Sequence, residues 1–481
     1  MSNSRGQASV TWRARPDAVW RSILAHGFIL AAVPLPPCAV ALVEGAYELA
    51  VALGIPLALC ILAGILGRFQ RYPDDLRAIE AVCTLAALLL IACAMPLAAF
   101  MSLGLSFTDA VFEAVSGVTS TGLSMVGGSL DWPLSAHVLR AWLQWTGGFA
   151  IAVAGAALIL GPSKAARAMG NAGMTESDIM TSTRQQARSM LIAYVAITVV
   201  GIVLLIPLMP APWEALVIAL AAVSTGGFSP RPDSLASYSG LAQGVTIALC
   251  ISTSFSLMTY VYLRRRGPRA AVERTNVRAM LSVMTAGAAV STFALWQRGL
   301  TAEEIGAGVV NFLSGFSTAG FSAAPVSAAP VILALLMAAM MIGGGTGSTA
   351  GGLKIDRLLL AFQMLRLTLI RMRAPDRAVT RLLDHGQKVE IDRITSVAAV
   401  ALCYSISLMV GWMIFLLAGL DPLGSLFDMV SALSTVGLSS GLTDADLAPH
   451  LKYVLVVAML LGRLEFLALI AALSPITWFG R

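Results

Sequence analysis

The chain has 481 residues, 57% of them apolar and 12% charged, with a mean hydropathy of +0.81. Soluble domains carry about a quarter charged residues, so this composition excludes a soluble enzyme or binding module and describes an integral membrane protein. The net charge of +6 sits in loops between apolar stretches, which argues against nucleic-acid binding; six cysteines without CxxC spacing and four isolated histidines speak against a disulfide framework, a zinc site and metal catalysis.

In chain order, Met1 to Arg21 holds Arg5, Arg13, Arg15 and Arg21 and is followed by many apolar runs, so it reads as a cytoplasmic tail and not as a cleavable signal. Ten stretches are long enough to cross a bilayer at roughly 20 residues each: 22–43, 49–67, 79–103, 136–160, 189–209, 240–263, 279–298, 331–369, 394–418 and 452–476. Four shorter apolar pieces between span pairs read as re-entrant pore helices. Threading ten spans from a cytoplasmic N-terminus places 25 of the 32 Lys and Arg residues in inner segments, against Arg140, Arg231, Arg298 and Lys452 in outer ones. That asymmetry orients membrane proteins. Thirteen acids fall on the outer side: Glu44, Glu48, Asp109, Glu113, Asp131, Glu214, Asp233, Glu303, Glu304, Asp421, Asp428, Asp444 and Asp446. They read either as a vestibule that concentrates cations or as ordinary solvated loop charges.

Each of the four re-entrant pieces runs into one pattern, [S/T]-[S/T]-x-G-[L/F]-S. It reads TSTGLS from Thr119, STGGFS from Ser224, STAGFS from Ser317 and STVGLS from Ser434. The glycines Gly122, Gly227, Gly320 and Gly437 are 105, 93 and 117 residues apart, so one unit of about a hundred residues occurs four times. Irregular backbone at membrane depth must line something polar. Four such loops can surround a dehydrated alkali cation with backbone carbonyls, assisted by hydroxyls, and glycine takes the backbone angles that aim consecutive carbonyls at one axis. The alternative is close packing of small residues between helices; four copies in register favour the filter.

Upstream, Phe112-Glu113-Ala114-Val115-Ser116 aligns with Phe427-Asp428-Met429-Val430-Ser431, and Asn311 takes the acidic place in the third copy. Ser116, Ser314 and Ser431 lie six residues before their glycines, whereas the second copy has Ala221. A short helix ending at each filter would direct its C-terminal carbonyl dipoles at the cation.

The third unit's last span is interrupted by Gly343-Gly344-Gly345-Thr346-Gly347-Ser348-Thr349-Ala350-Gly351-Gly352, in which six of ten residues are glycine. That composition opposes a continuous helix, and the reading is a flexible gating loop below the filter, followed by Lys354 and Arg357. It lacks the GxxxxGK[ST] pattern of a phosphate loop. Arg463, in Gly462-Arg463-Leu464-Glu465, is an ionisable residue inside the last span. It reads as an electrostatic barrier in the permeation path, paired with Glu465 or with loop carbonyls, or as a structural tie between helices.

In their joint order the four filter sequences, the glycine-rich interruption and Gly462-Arg463-Leu464-Glu465 resemble the Trk/Ktr/HKT superfamily of potassium transporters, and specifically the TrkH type, over nearly the whole chain. The two spans before the first unit are similar to TrkH and unlike the shorter Ktr membrane subunit. The resemblance implies an all-α integral membrane fold of four M1-P-M2 units (helix, re-entrant pore loop, helix) around a central pore. On this reading residues 1–78 form the tail and two extra spans, and the units occupy 79–188, 189–278, 279–393 and 394–481. Potassium would bind at Thr119, Ser120, Thr121 and Gly122; Ser224, Thr225, Gly226 and Gly227; Ser317, Thr318, Ala319 and Gly320; and Ser434, Thr435, Val436 and Gly437. The gate would comprise Gly343, Gly344, Gly345, Thr346, Gly347, Ser348, Thr349, Gly351, Gly352, Lys354, Arg463 and Glu465.

The same resemblance implies a homodimer with one pore per subunit, multi-pass in the lipid of a bacterial inner membrane with both termini cytoplasmic. It implies no covalently bound cofactor; nucleotide would act only through a cytoplasmic ring of TrkA-like regulator subunits. Four filter glycines are associated with potassium preference, and serine at the first with sodium-transporting relatives. The alternatives are a proton- or sodium-coupled secondary transporter and a sodium-permeable relative. Four same-orientation repeats and the lack of a buried acid pair weigh against coupling, and a membrane enzyme finds no catalytic pair in facing spans.

Overall fold

A computed structural model describes residues 13–70, 76–126, 131–160, 176–326, 329–373, 375, 383–384, 387–389 and 391–479. Parts of the tail and inner segments counted above, namely 1–12, 71–75, 161–175, most of 374–390 and Arg481, lie outside the described residues. In hydrocarbon only intrahelical hydrogen bonds satisfy a lone segment's backbone, so each apolar stretch becomes a helix. A two-residue hairpin, Leu383–Asp384 with Gln387–Lys388, is the only strand pairing among the described residues.

Before the repeats, the helix Pro16–Ala25 precedes a jointed first crossing of Gly27–Ala31 and Leu35–Glu44, followed by the unbroken helix Tyr47–Phe69. The joint falls where Pro34, Pro36 and Pro37 remove amide donors. Each unit then supplies a leading helix, a pore helix and a closing helix. The leading helices run over Ala78–Ser102 (jointed at Met95–Pro96), Glu176–Leu205, Val277–Trp296 and Ile391–Leu417. The pore helices are Phe107–Val118, Pro212–Val223, Ala302–Phe316 and Pro422–Leu433. Local chemistry starts them: Ser106 and Asp421 cap by accepting from Asp109 N and Gly424 N, Thr301 and Glu304 form a reciprocal capping box, and Pro212 and Pro422 stand in the first turn.

The closing helices depart most from the sequence expectation. Only the first, Leu134–Leu160, is continuous. The third breaks as expected, into Pro330–Ile342 and Ile355–Arg371. The stretches read as single spans over 240–263 and 452–476 are also broken: Gly240–Ser254 turns by 78° into the helix beginning at Leu257, and Pro449–Arg463 by 110° into Leu467–Leu473. No glycine or proline marks either corner. In the fourth unit Glu465 and Phe466 take positive φ values of 54° and 59°.

The pore helices sit in the middle of the molecule. In the second, every residue from Val217 to Val223 is buried, whereas the 18-residue apolar window of the leading helix Val277–Trp296 is only 22% buried and presents Val290, Phe293 and Trp296 outward. Each closing helix packs against the following unit's pore helix, and the fourth packs against the first. The ring is therefore closed within one chain. Close approach is set by glycine: a Cβ on Gly147 or Gly462 would strike the carbonyl oxygen of Val118 or Leu433, the last residue of that unit's own pore helix. Overpacking of this kind costs about 1–3 kcal/mol. Gly147→Ala is therefore expected to lower the thermal midpoint of the detergent-solubilised protein, while Gly54→Ala, where no atom lies within 4 Å, is not. Equal midpoints for the two variants would remove the packing argument.

Candidate functional site

All four pore helices end in the same way. The first residue beyond each cap, Ser120, Thr225, Thr318 and Thr435, is left-handed with φ of 51°, 52°, 55° and 48°. Its amide bonds the carbonyl of Gly117, Ala222, Gly315 or Ala432, and the next amide reaches back to Ser116, Ala221, Ser314 or Ser431. This is the Schellman closure, built on hydroxyl residues where glycine is usual. A non-glycine residue in this region costs of order 1–3 kcal/mol and persists only where its surroundings over-determine it.

Two residues further on, Gly122, Gly227, Gly320 and Gly437 have φ of 93°, 77°, 74° and 101°. A Cβ on Gly122 would strike the Gly226 carbonyl oxygen, one on Gly227 that of Ala319, one on Gly320 that of Val436, and one on Gly437 that of Thr121. The contacts run from each unit to the next and return to the first. The four motifs thus encircle one axis, with the carbonyls of Thr121, Gly226, Ala319 and Val436 at a common level. The following Leu123, Phe228, Phe321 and Leu438 are all buried.

The strand leaving each filter is tied down by its pore helix in three units. Glu113 accepts from Ser124 Oγ and from Met125 N at 3.3 Å. Asn311 Oδ1 accepts from Ala323 N at 2.8 Å, and Asp428 accepts from Ser440 N at 2.7 Å as well as from Ser439 and Thr443 hydroxyls. Ser116 and Ser431 accept from the filter amides of Gly122 and Gly437 at 3.0 and 3.1 Å. In the second unit two residues of the first closing helix hold the strand at other atoms: Gln144 accepts from Phe228 N and donates to Gly226 O, and Arg140 donates to Ser229 O. Neither stood out in the sequence, although Arg140, Gln144 and Gly147 recur at helical spacing as a polar and small stripe in an apolar helix.

Below the filter, the Gly343 to Gly352 segment touches the second, third and fourth units, and Arg463 links it to the first. Gly352 N donates to Ser434 O at 3.1 Å, Gly351 N to Thr318 Oγ1 at 2.7 Å, and Thr225 Oγ1 to Thr349 Oγ1 at 3.2 Å. Arg463, buried, donates to Thr349 O at 2.9 Å and to Ser120 Oγ at 3.3 Å. The segment also repairs the second unit's broken helix: Gly345 N donates to Ser254 O at 2.9 Å and Leu257 N to Gly347 O at 3.0 Å. Thr346 N is held by Asp356 and Ser348 Oγ by Gly345 O, while Gly344 O accepts from Ile355 N. A loop expected to be flexible is instead buried and extensively hydrogen-bonded. Lys354 donates to Ala350 O. Of the two partners read for Arg463, the structure has the loop carbonyl and not Glu465, which pairs with Arg357 across the 110° corner.

Many charges assigned to the outer loops are structural ties. Arg140 is a buried partner of Glu113 at 2.8 Å, and Lys452 of Asp109 at 2.6 Å. Arg231 and Tyr238 hold Glu214, and Glu44 receives Leu134 N and Ser135 N. Of the acids read as a vestibule, Glu113, Glu214 and Asp428 are buried, so the solvated ring is thinner than the sequence count suggests.

Comparison with known proteins places these features. The TrkH family model, described as a cation transport protein, matches residues 57–295 and 308–476. An uncharacterized cation transporter of Methanocaldococcus jannaschii is 25% identical over 386 residues, 77% of each chain. The Trk system potassium uptake protein TrkH of Salmonella typhimurium is 27% identical over 404 residues, 80% of this chain and 82% of the relative. The crystal structure of the potassium transporter TrkH from Vibrio parahaemolyticus superposes with a TM-score of 0.83 at 23% identity, covering 95% of this chain and 99% of that one.

Removing a buried acceptor leaves its donors unpaired at about 1–3 kcal/mol each. Asp428→Leu strips Ser440 N and two hydroxyls of their partner. Faster amide hydrogen exchange over 437–443 is expected; parent-like protection would show that the strand is held by other means.

Proposed function

Since the chain belongs to the TrkH family of cation transport proteins, we propose that it is a multi-pass potassium uptake protein whose four filter segments strip water from the ion within a single subunit. The relative from Salmonella typhimurium carries a potassium uptake name. The observation that carries the reading is the cyclic succession of carbonyls around Gly122, Gly227, Gly320 and Gly437. Ring closure at one level is what a cation needs to exchange its hydration shell for fixed oxygens.

Thr119 to Gly122, Ser224 to Gly227, Ser317 to Gly320 and Ser434 to Gly437 are the residues we assign to potassium. We assign the four units to 79–188, 189–278, 279–393 and 394–481, although the second unit's leading helix begins ahead of its boundary, at Glu176. Placement in a bacterial inner membrane with both termini cytoplasmic, assembly as a homodimer, and opening by a TrkA-like nucleotide-binding ring belong to the same proposal. Nucleotide acts there only through the partner. Support comes from the basic inner segments as a docking surface and from the Trk system named for the relatives. Rescue of a potassium-uptake-deficient bacterium at low external potassium tests the reading: co-expressed with a Trk regulator, the intact chain should restore growth, and failure despite membrane insertion would overturn it.

The Gly343 to Gly352 segment and Arg463 act as the gate. They occupy the space under the lower hydroxyls Ser120, Thr225 and Thr318. A cation about 4 Å from a guanidinium at an effective dielectric of about 20 is repelled by about 4 kcal/mol, close to a thousandfold in occupancy. Arg463→Ala removes that barrier. Gly351→Ala pushes the loop off the filter, because its Cβ would strike Ser434 O and Thr435 Oγ1. Both variants should raise basal potassium flux in proteoliposomes lacking the regulator, and parent-level flux in both would move the gate elsewhere.

A further inference from the structure

The second filter strand lacks the acid or asparagine that ties the strand in the other three units, and the serine that bonds the filter amide in the first and fourth. Nine residues before its glycine stands Ile218, where the other units have Glu113, Asn311 and Asp428; six before stands Ala221, where they have serine. Neither side chain can hydrogen-bond. The closing helix of the preceding unit holds this strand instead, at neighbouring atoms. Gln144, fully buried, accepts from Phe228 N at 3.2 Å through Oε1 and donates from Nε2 to Gly226 O at 2.5 Å. One turn earlier Arg140 donates to Ser229 O at 3.2 Å and lies 4.1 Å from the centre of the Phe228 ring, its charge balanced by Glu113. Gly226 is the only glycine among the four residues that precede the filter glycines, and a Cβ there would strike the Gln144 carboxamide. The glycine and the glutamine are a matched pair.

We propose that Gln144 and Arg140 are positioning residues that hold the second filter strand in place of its missing serine and acid, and that Gln144 sets this strand's contribution to ion discrimination through the Gly226 carbonyl. The proposal rests on the potassium reading above. A carbonyl already engaged by an amide donor is held in direction and is a weaker ligand than its three counterparts. The collar of Thr121, Gly226, Ala319 and Val436 oxygens is therefore chemically unequal, although its backbone is four-fold.

The test uses the purified full chain in proteoliposomes, with rubidium tracer uptake competed by potassium or by sodium. A parent that shows no potassium-competed uptake defeats the potassium reading on which this inference rests. Given an active parent, monodisperse Gln144→Leu should lose discrimination of potassium over sodium by roughly three- to tenfold, the worth of one hydrogen bond. Should Gln144→Leu fail to fold, Gln144→Glu keeps the acceptor for Phe228 N and removes the donor to Gly226 O, with the same loss expected. Unchanged discrimination in a folded Gln144 variant overturns the proposal.

Discussion

No backbone amide or carbonyl can be left unpaired in hydrocarbon, and the centre of this protein is organised around that constraint. Four filter strands and three broken closing helices would each be prohibitively costly alone. They are arranged to satisfy one another. The Gly343 to Gly352 segment pairs with the exposed ends of the second unit's broken helix through Ser254 and Leu257, and with the filter through Thr318 and Ser434. Arg463, at the end of the fourth unit's broken helix, takes up the carbonyl of Thr349. Filter and loop are thus one hydrogen-bonded object, and a movement in one removes partners from the other.

Symmetry is strict where the backbone must face a common axis and lapses behind it. The left-handed hydroxyl residue and the positive-φ glycine recur in every unit. The supports differ: a carboxylate and serine in the first and fourth units, an asparagine in the third, a borrowed arginine and glutamine in the second. Any group that completes the buried amides suffices for stability, so the supporting shell was free to diverge. The strand itself had to keep its glycines, because each sits against the next strand's carbonyl.

The apolar helices and the four repeated glycine segments were legible in the sequence because they rest on local signals, hydropathy over about twenty residues and a four-times repeated glycine pattern. The third helix break was legible for the same reason. Those at Phe255–Ser256 and Leu464–Phe466 were not. Their residues carry no breaker, and the bends are held by contacts with a loop roughly a hundred residues away in sequence, or with Arg357. Charges misled in a similar way: Arg140 and Lys452 counted as loop cations, yet each is buried against an acid of another helix.

Composition alone determined that the chain lives in a membrane, and repetition alone determined that it carries four like units with a polar interruption in each. Hydropathy and backbone freedom are properties of a residue and its near neighbours, so they can be read along a line. Only the tertiary structure decided that the interruptions close into a ring, that the glycine-rich loop docks against that ring, and that the second strand borrows its support from the unit before it. Those outcomes depend on hydrogen-bond partners brought together from remote parts of the chain, and the need of a buried amide for an acceptor does not specify which distant residue will supply it.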